Sequence, residues 1–169
     1  MTGVQTCALP ICFSRKNFNI YMDEQNWTDK TLPDNVAVIS ICCTEAVRTN
    51  FVHSRYDGAD DTHRFSHRNN VLNLDFDDID EEVRHCDGGY DALNITKEQA
   101  DEAVKFIEAH KNCDFYIHCN AGKSRSQAFI KYIREQYYDI DWETNPANPC
   151  LYPNIYVSNM LKRSAREML

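Results

Sequence analysis

The stretch Asp114-Phe115-Tyr116-Ile117-His118-Cys119-Asn120-Ala121-Gly122-Lys123-Ser124-Arg125-Ser126 decides how this chain is read. Its first four residues form an apolar, aromatic-rich run suited to a buried strand. From Ser126 to Tyr138 the residues Phe129, Ile130, Ile133 and Tyr137 recur at helical spacing. Between strand and helix lie Cys119, five residues and Arg125. A loop that feeds a helix N-terminus offers unpaired N–H groups to an anion. Gly122 and the small Ala121 permit the tight turn that aims those groups at one centre. Arg125 supplies a planar fork for two oxygens of a tetrahedral anion, which a lysine cannot match. A cysteine at such a helix start is favoured as the nucleophilic thiolate. Ser126 can donate to that sulfur, and His118 adds polar support from the strand end. The segment predicts a phosphate-sized site with its own nucleophile.

Spacing alone does not select this segment. Cys42-Cys43-Thr44-Glu45-Ala46-Val47-Arg48 also places a cysteine and an arginine six positions apart. It has no glycine to turn its amides inward, and Glu45 would repel a phosphate. Gly122-Lys123-Ser124 suggests a nucleotide-binding loop, but that motif needs a glycine where this chain has Ile117.

His118 to Ser126 resembles the signature loop of the cysteine-based protein tyrosine phosphatase superfamily. The chain has no Trp-Pro-Asp motif and is most similar to the compact dual-specificity branch, over about residues 34 to 138. The resemblance implies a single-domain α/β fold: a three-layer sandwich with a mostly parallel central sheet flanked by helices. It implies hydrolysis of phosphomonoesters on a phosphorylated protein or peptide through a phosphocysteine intermediate. Cys119, Arg125, Ser126 and an aspartate would be catalytic. His118, Asn120, Ala121, Gly122, Lys123 and Ser124 would cradle the phosphate. No cofactor and no metal are implied. Two alternatives keep the loop and change the outcome. Lys123 also fits the loop of phosphoinositide phosphatases, although Asn120 stands where those carry a second lysine, and an RNA 5′-phosphate is a related substrate. A phosphate-binding module without turnover is the other.

A thiolate that displaces an alkoxide or phenoxide needs an acid to protonate the leaving oxygen. The alternating run Val71 to Phe76 reads as a strand and leads into Asp77-Asp78-Ile79-Asp80-Glu81-Glu82. In the resembled family the acid follows such a strand, a few dozen residues before the cysteine. Laying Leu72-Asn73-Leu74 on that strand puts Asp78 at the acid position, with Asp77 and then Asp80 behind it. Glu81 and Glu82 read as a solvated loop. That loop lacks the glycine an EF-hand requires.

The remaining chain sets bounds. At 169 residues with 43% hydrophobic content it fits one globular domain with a full core. No apolar run approaches membrane-spanning length. A net charge of −8 argues against a general nucleic-acid or anionic-membrane binder. The eight cysteines form no Cys-x2-Cys pair, so neither a disulfide scaffold nor a structural zinc site is expected. A reducing cytoplasm and a monomer are the expected setting. His63 and His67 read as loop histidines. Cys42 and Cys43 read as buried thiols, with a protective disulfide to Cys119 as the other option.

Residues 1 to 12 resemble a translated sequencing adapter, so the phosphatase domain is expected over 13–169. Val36 to Cys42 reads as a central strand. Residues 53 to 70, and the stretch from Asp77 to Ile95, read as loops. Thr96 to Gln99 forms a capping box that opens a helix with Ala100, Ala103, Val104 and Ile107 on one face. A last helix is expected from near Pro153 toward Met168.

Overall fold

The computed structural model describes residues 8–50, 61–146 and 151–169. In chain order these form β1 (Ile11–Ser14), α1 (Arg15–Glu24), β2 (Val36–Cys42), α2 (Glu45–Asn50), β3 (Val71–Asp75), β4 (Val83–Cys86), β5 (Tyr90–Leu93), α3 (Lys97–Ala109), β6 (Asp114–Cys119), α4 (Arg125–Tyr137) and α5 (Ile155–Glu167). The main sheet has the order β1-β6-β2-β3 with every pairing parallel. Its centre, β2, is buried at all of its positions, as a run of Val, Ala and Ile closed in on both faces should be.

The period-2 alternation of the strands divides the core between two faces. Ala37, Ile39 and Ile41 of β2, with Leu72, Leu74, Phe115 and Ile117, pack against Ala103 and Ile107 of α3, Phe129 and Ile133 of α4, and Val157 and Leu161 of α5. Val36 and Val38, with Val71 and Tyr116, pack against Phe18 and Met22 of α1. The result is the expected three-layer α/β sandwich. Each fully buried Ile or Phe contributes about 1.5–3 kcal/mol, so the strands beneath the loop at 119–125 are its most rigid support.

Local signals behave as their chemistry dictates. Thr96 and Gln99 form the reciprocal capping box, and Ala100, Ala103, Val104 and Ile107 are the buried face of α3. The last helix opens at Asn154, whose side chain accepts from the Val157 amide. No helix among the described residues is long and apolar enough to cross a membrane.

Three features depart from the sequence expectation. The stretch expected to be a loop to Ile95 contains the antiparallel hairpin β4–β5. Gly88 and Gly89 supply its turn at φ 101° and 80°. Its signal is weak because Val83 and Leu93 face solvent. Helix α1 is absent from the sequence expectation, although Ser14 caps it and Phe18 and Met22 sit four apart on its buried side. The third is β1, which was not read from the sequence and includes residues 11 and 12. Ile11 and Cys12 pair with Tyr116 and Ile117 and extend the sheet. Of the loop expected over 53–70, residues 53–60 lie outside the described residues. The remainder has an isolated bridge between Arg68 and Val71 but no helix or strand.

Candidate active site

Parallel strands deliver their C-terminal ends to one edge of a sheet, and that edge is where ligands bind in open α/β folds. Here it gathers Cys42 from β2, Asp75 from β3 and Cys119 from β6. The loop from Cys119 to Ser124 joins β6 to α4. Cys119 is buried, its Sγ accepts the Gly122 N–H at 3.2 Å, and Ser126 Oγ lies 3.1 Å away. An amide and a hydroxyl thus converge on the sulfur, the arrangement that stabilises a thiolate.

Gly122 is required twice over. Its φ is +70°, and a Cβ there would stand 2.7 Å from the Phe13 carbonyl carbon and the Ser14 nitrogen. Both are backbone atoms that cannot yield cheaply. Gly122→Ala is expected to cost about 2 kcal/mol or more and to displace the amide that meets Cys119. Thermal melting checks it: a variant with unchanged melting temperature would contradict this role for Gly122.

Arg125 opens α4 but folds beneath the loop and is buried. Its Nη1 donates to the Phe76 carbonyl at 2.8 Å and lies 3.5 Å from Cys43 Sγ. Its Nε has no partner among the described residues. A buried guanidinium edge without an acceptor is complementary to an oxyanion. Ser124, the N-cap residue of α4, makes no capping bond with its side chain, so the helix start keeps unpaired N–H groups facing the loop. Asn120 is half-buried and its carbonyl accepts the Arg15 N–H, while Ala121 and Lys123 are exposed at the rim.

Three aspartates of the acidic run have different surroundings. Asp78 is exposed, and its Oδ1 accepts Ser124 Oγ at 2.7 Å and Asn154 Nδ2 at 2.8 Å. It therefore stands against the loop from Cys119 to Ser124. Asp77 is buried and receives the Thr44 amide and hydroxyl and the Leu93 amide, so both its oxygens are engaged within the fold. Asp80 is exposed and paired with Arg84. Beside Asp78 lies an open cleft of about 340 Å³ bounded by Ser124, Arg84, Tyr152 and Asn154.

Asn154 was missed by sequence reasoning. It holds Asp78 and the Ile79 carbonyl with one amide group while capping α5 with the other end. Its own N–H donates to the Ser124 carbonyl, and the Tyr152 N–H to that of Lys123. The helix start near Pro153 was legible, but its long-range partners were not.

The rival cysteine–arginine segment is no phosphate cradle. The Cys43 and Thr44 amides are already taken by Asp61 and Asp77 carboxylates, and the chain then enters α2. All six described cysteines are free thiols. Burial pushes Cys43 up to about 11. On the other side of Ser126, the Cys12 thiol donates to its Oγ at 3.0 Å, and burial pushes it up to about 12.

His118 is buried beneath the loop, and burial pushes its imidazole down to about 4, so it is neutral at ordinary pH. Its Nε2 lies 2.7 Å from Ser40 Oγ. The same hydroxyl lies 2.7 Å from His63 Nδ1, and His63 Nε2 is 2.8 Å from Asp75 Oδ1. Cys42, His63 and Asp75 bring together ligand types that suit zinc. Both ring nitrogens of His63 are engaged within the chain, so the geometry is a hydrogen-bonded line rather than a coordination sphere.

A scan against family models and a search of curated proteins return no match. Among solved structures, the chain is similar to the crystal structure of PTPMT1 in complex with PI(5)P, with a TM-score of 0.47 and 15% identity over 98% of this chain and 93% of that one. It is also similar to the human tyrosine phosphatase-like serine/threonine/tyrosine-interacting protein, with a TM-score of 0.43 and 15% identity over 92% and 86% of the two chains. What this chain can do follows from the geometry around Cys119.

Proposed function

We propose that the chain is a cysteine-dependent phosphomonoesterase of the protein tyrosine phosphatase type, acting on phosphorylated protein or peptide in the reducing cytoplasm. One observation carries this: a buried sulfur meets an inward amide and a hydroxyl beside a buried guanidinium whose Nε has no partner among the described residues.

The reaction runs in two balanced steps. Cys119 Sγ forms a bond to phosphorus as the ester P–O bond breaks, and Asp78 gives its proton to the leaving oxygen. Arg125 and the loop amides hold the oxygens whose charge rises in the transition state. Water then attacks the phosphocysteine, Asp78 takes its proton, and the S–P bond breaks. The departing thiolate is received by the Ser126 hydroxyl. Asn154 acts as a positioning residue that holds Asp78 over the loop. The cleft beside Asp78, with Tyr152 exposed on its wall, suits an aromatic phosphoester side chain.

The test is Asp78→Asn. Turnover of a phosphotyrosine peptide or phenyl phosphate is expected to fall about 10²–10³-fold. The effect should be much smaller on a substrate whose leaving group needs no proton. Unchanged turnover of phenyl phosphate would remove Asp78 from the mechanism. Inositol phospholipid and RNA 5′-triphosphate belong in the same panel, and preference for either would reassign the substrate while leaving the chemistry intact. Phosphopeptide binding without turnover by the unsubstituted protein would mark a binding module.

A further inference from the structure

We infer that Ser40, His63 and Asp75 are positioning residues that set which nitrogen of His118 carries its proton, and through it the grip of the Cys119 loop on phosphate. The inference rests on the phosphatase reading for its consequence, but not for its geometry.

The line runs Asp75 Oδ1, His63, Ser40 Oγ, His118, with successive separations of 2.8, 2.7 and 2.7 Å, and ends 3.4 Å from the Cys119 carbonyl at His118 Nδ1. In the three contacts of 2.7–2.8 Å there must be one hydrogen each, because two lone pairs cannot face one another at that distance. His63 Nε2 faces a carboxylate and keeps its proton throughout. Ser40 has a single hydroxyl hydrogen and two imidazole neighbours, so it donates to one and accepts from the other. His118 is buried and neutral, so it too carries a single proton.

These constraints leave two arrangements. When His63 is protonated on both nitrogens, it donates to Ser40, Ser40 donates to His118 Nε2, and the His118 proton sits on Nδ1, facing the Cys119 carbonyl. When His63 has lost its Nδ1 proton, Ser40 turns and donates to His63. His118 must then donate from Nε2, and its bare Nδ1 faces the carbonyl oxygen. The first arrangement draws electron density from the Cys119–Asn120 peptide and makes the Asn120 N–H a better donor. The second sets a lone pair against that peptide. One proton on a half-buried histidine is thereby read out as a tautomer beneath the nucleophile.

Other charged or titratable groups bear on the line. Cys42 of β2 faces His63 Nδ1 at 3.4 Å, and burial keeps its thiol protonated. Asp75 lies on β3 and Asp61 on the segment carrying His63, while Arg15 of α1 acts on His118 and Arg125 of α4 on Cys42. None of them stands between Ser40 and either ring. Of Ser40, His63 and Asp75, the sequence alone draws notice to His63, and marks it as no more than a loop histidine.

The experiment uses histidine-labelled full chain and nitrogen NMR between about pH 5 and 8, the range in which imidazoles titrate. The His118 signal is expected to move from the Nδ1–H to the Nε2–H pattern as the pH rises, and to stop following pH in His63→Gln and in Ser40→Ala. Tungstate binding is measured alongside, in the Asp78→Asn background so that the acid's ionisation drops out. Between about pH 7.5 and 5.5 its affinity should rise about fivefold more when His63 is present than in the His63→Gln variant, the scale of one net hydrogen bond. A His118 tautomer that stays on one nitrogen across the range, or follows pH unchanged in His63→Gln, overturns the inference. Loss of p-nitrophenyl phosphate turnover and tungstate binding in otherwise unsubstituted protein would instead overturn the phosphatase reading, while the tautomer remains measurable. If Ser40→Ala fails to fold, His63→Gln decides alone.

Discussion

Cys119→Ser is expected to lower turnover of p-nitrophenyl phosphate by at least about 10⁴-fold, because the reaction then lacks a group that can attack phosphorus at neutral pH. A serine hydroxyl in that place stays protonated. It would still receive the Gly122 amide and neighbour Ser126, but neither of these is a base. The oxygen-binding parts are untouched, so vanadate or tungstate should still bind within about tenfold of the original affinity. Calorimetry on the variant separates the two properties. Wild-type turnover in Cys119→Ser would move the nucleophile elsewhere, and loss of anion binding along with turnover would show that the loop had collapsed.

Arg125→Lys comes second, with an expected loss in kcat/KM of about 10³-fold. Arg125 does three things that one ammonium cannot combine. It ties α4 to the Phe76 carbonyl and lies against Cys43 Sγ, while keeping a planar edge free for oxygen. A lysine keeps the charge but must choose between the carbonyl and the phosphate. Because the side chain is buried, its charge acts without much screening by water. Steady-state kinetics and a thermal melt on the same sample distinguish outcomes: a folded variant with wild-type kcat/KM would show that the fork is unimportant. Since Phe76 directly precedes the acidic run, some of the loss should appear as poorer placement of Asp78.

The core of the fold was legible because β2 and β6 are buried on both faces, and their apolar runs need no partner to be recognised. The capping box at Thr96 was equally legible, since it lies within four residues. Cys119, Gly122 and Arg125 stood out for the same reason, being closely spaced and chemically specific. What escaped was whatever depends on distant pairings. Asp77 and Asp78 are indistinguishable as adjacent letters, and only the Thr44 and Leu93 amides on one, and Ser124 and Asn154 on the other, separate them. His63 had no local partner to mark it, since its contacts come from β2 and β3. The hairpin β4–β5 was hidden by exposed apolar residues that give no alternation to read.

The wall against which Gly122 rests is made of Phe13 and Ser14, at the junction of β1 and α1. Strand β1 thus backs the loop from Cys119 to Ser124, and losing it is expected to disturb that loop. A protein trimmed to begin at residue 13 would give up half of that strand, although nothing between Cys119 and Arg125 had changed. For anyone shortening or fusing this chain, the support of the candidate active site begins at Ile11.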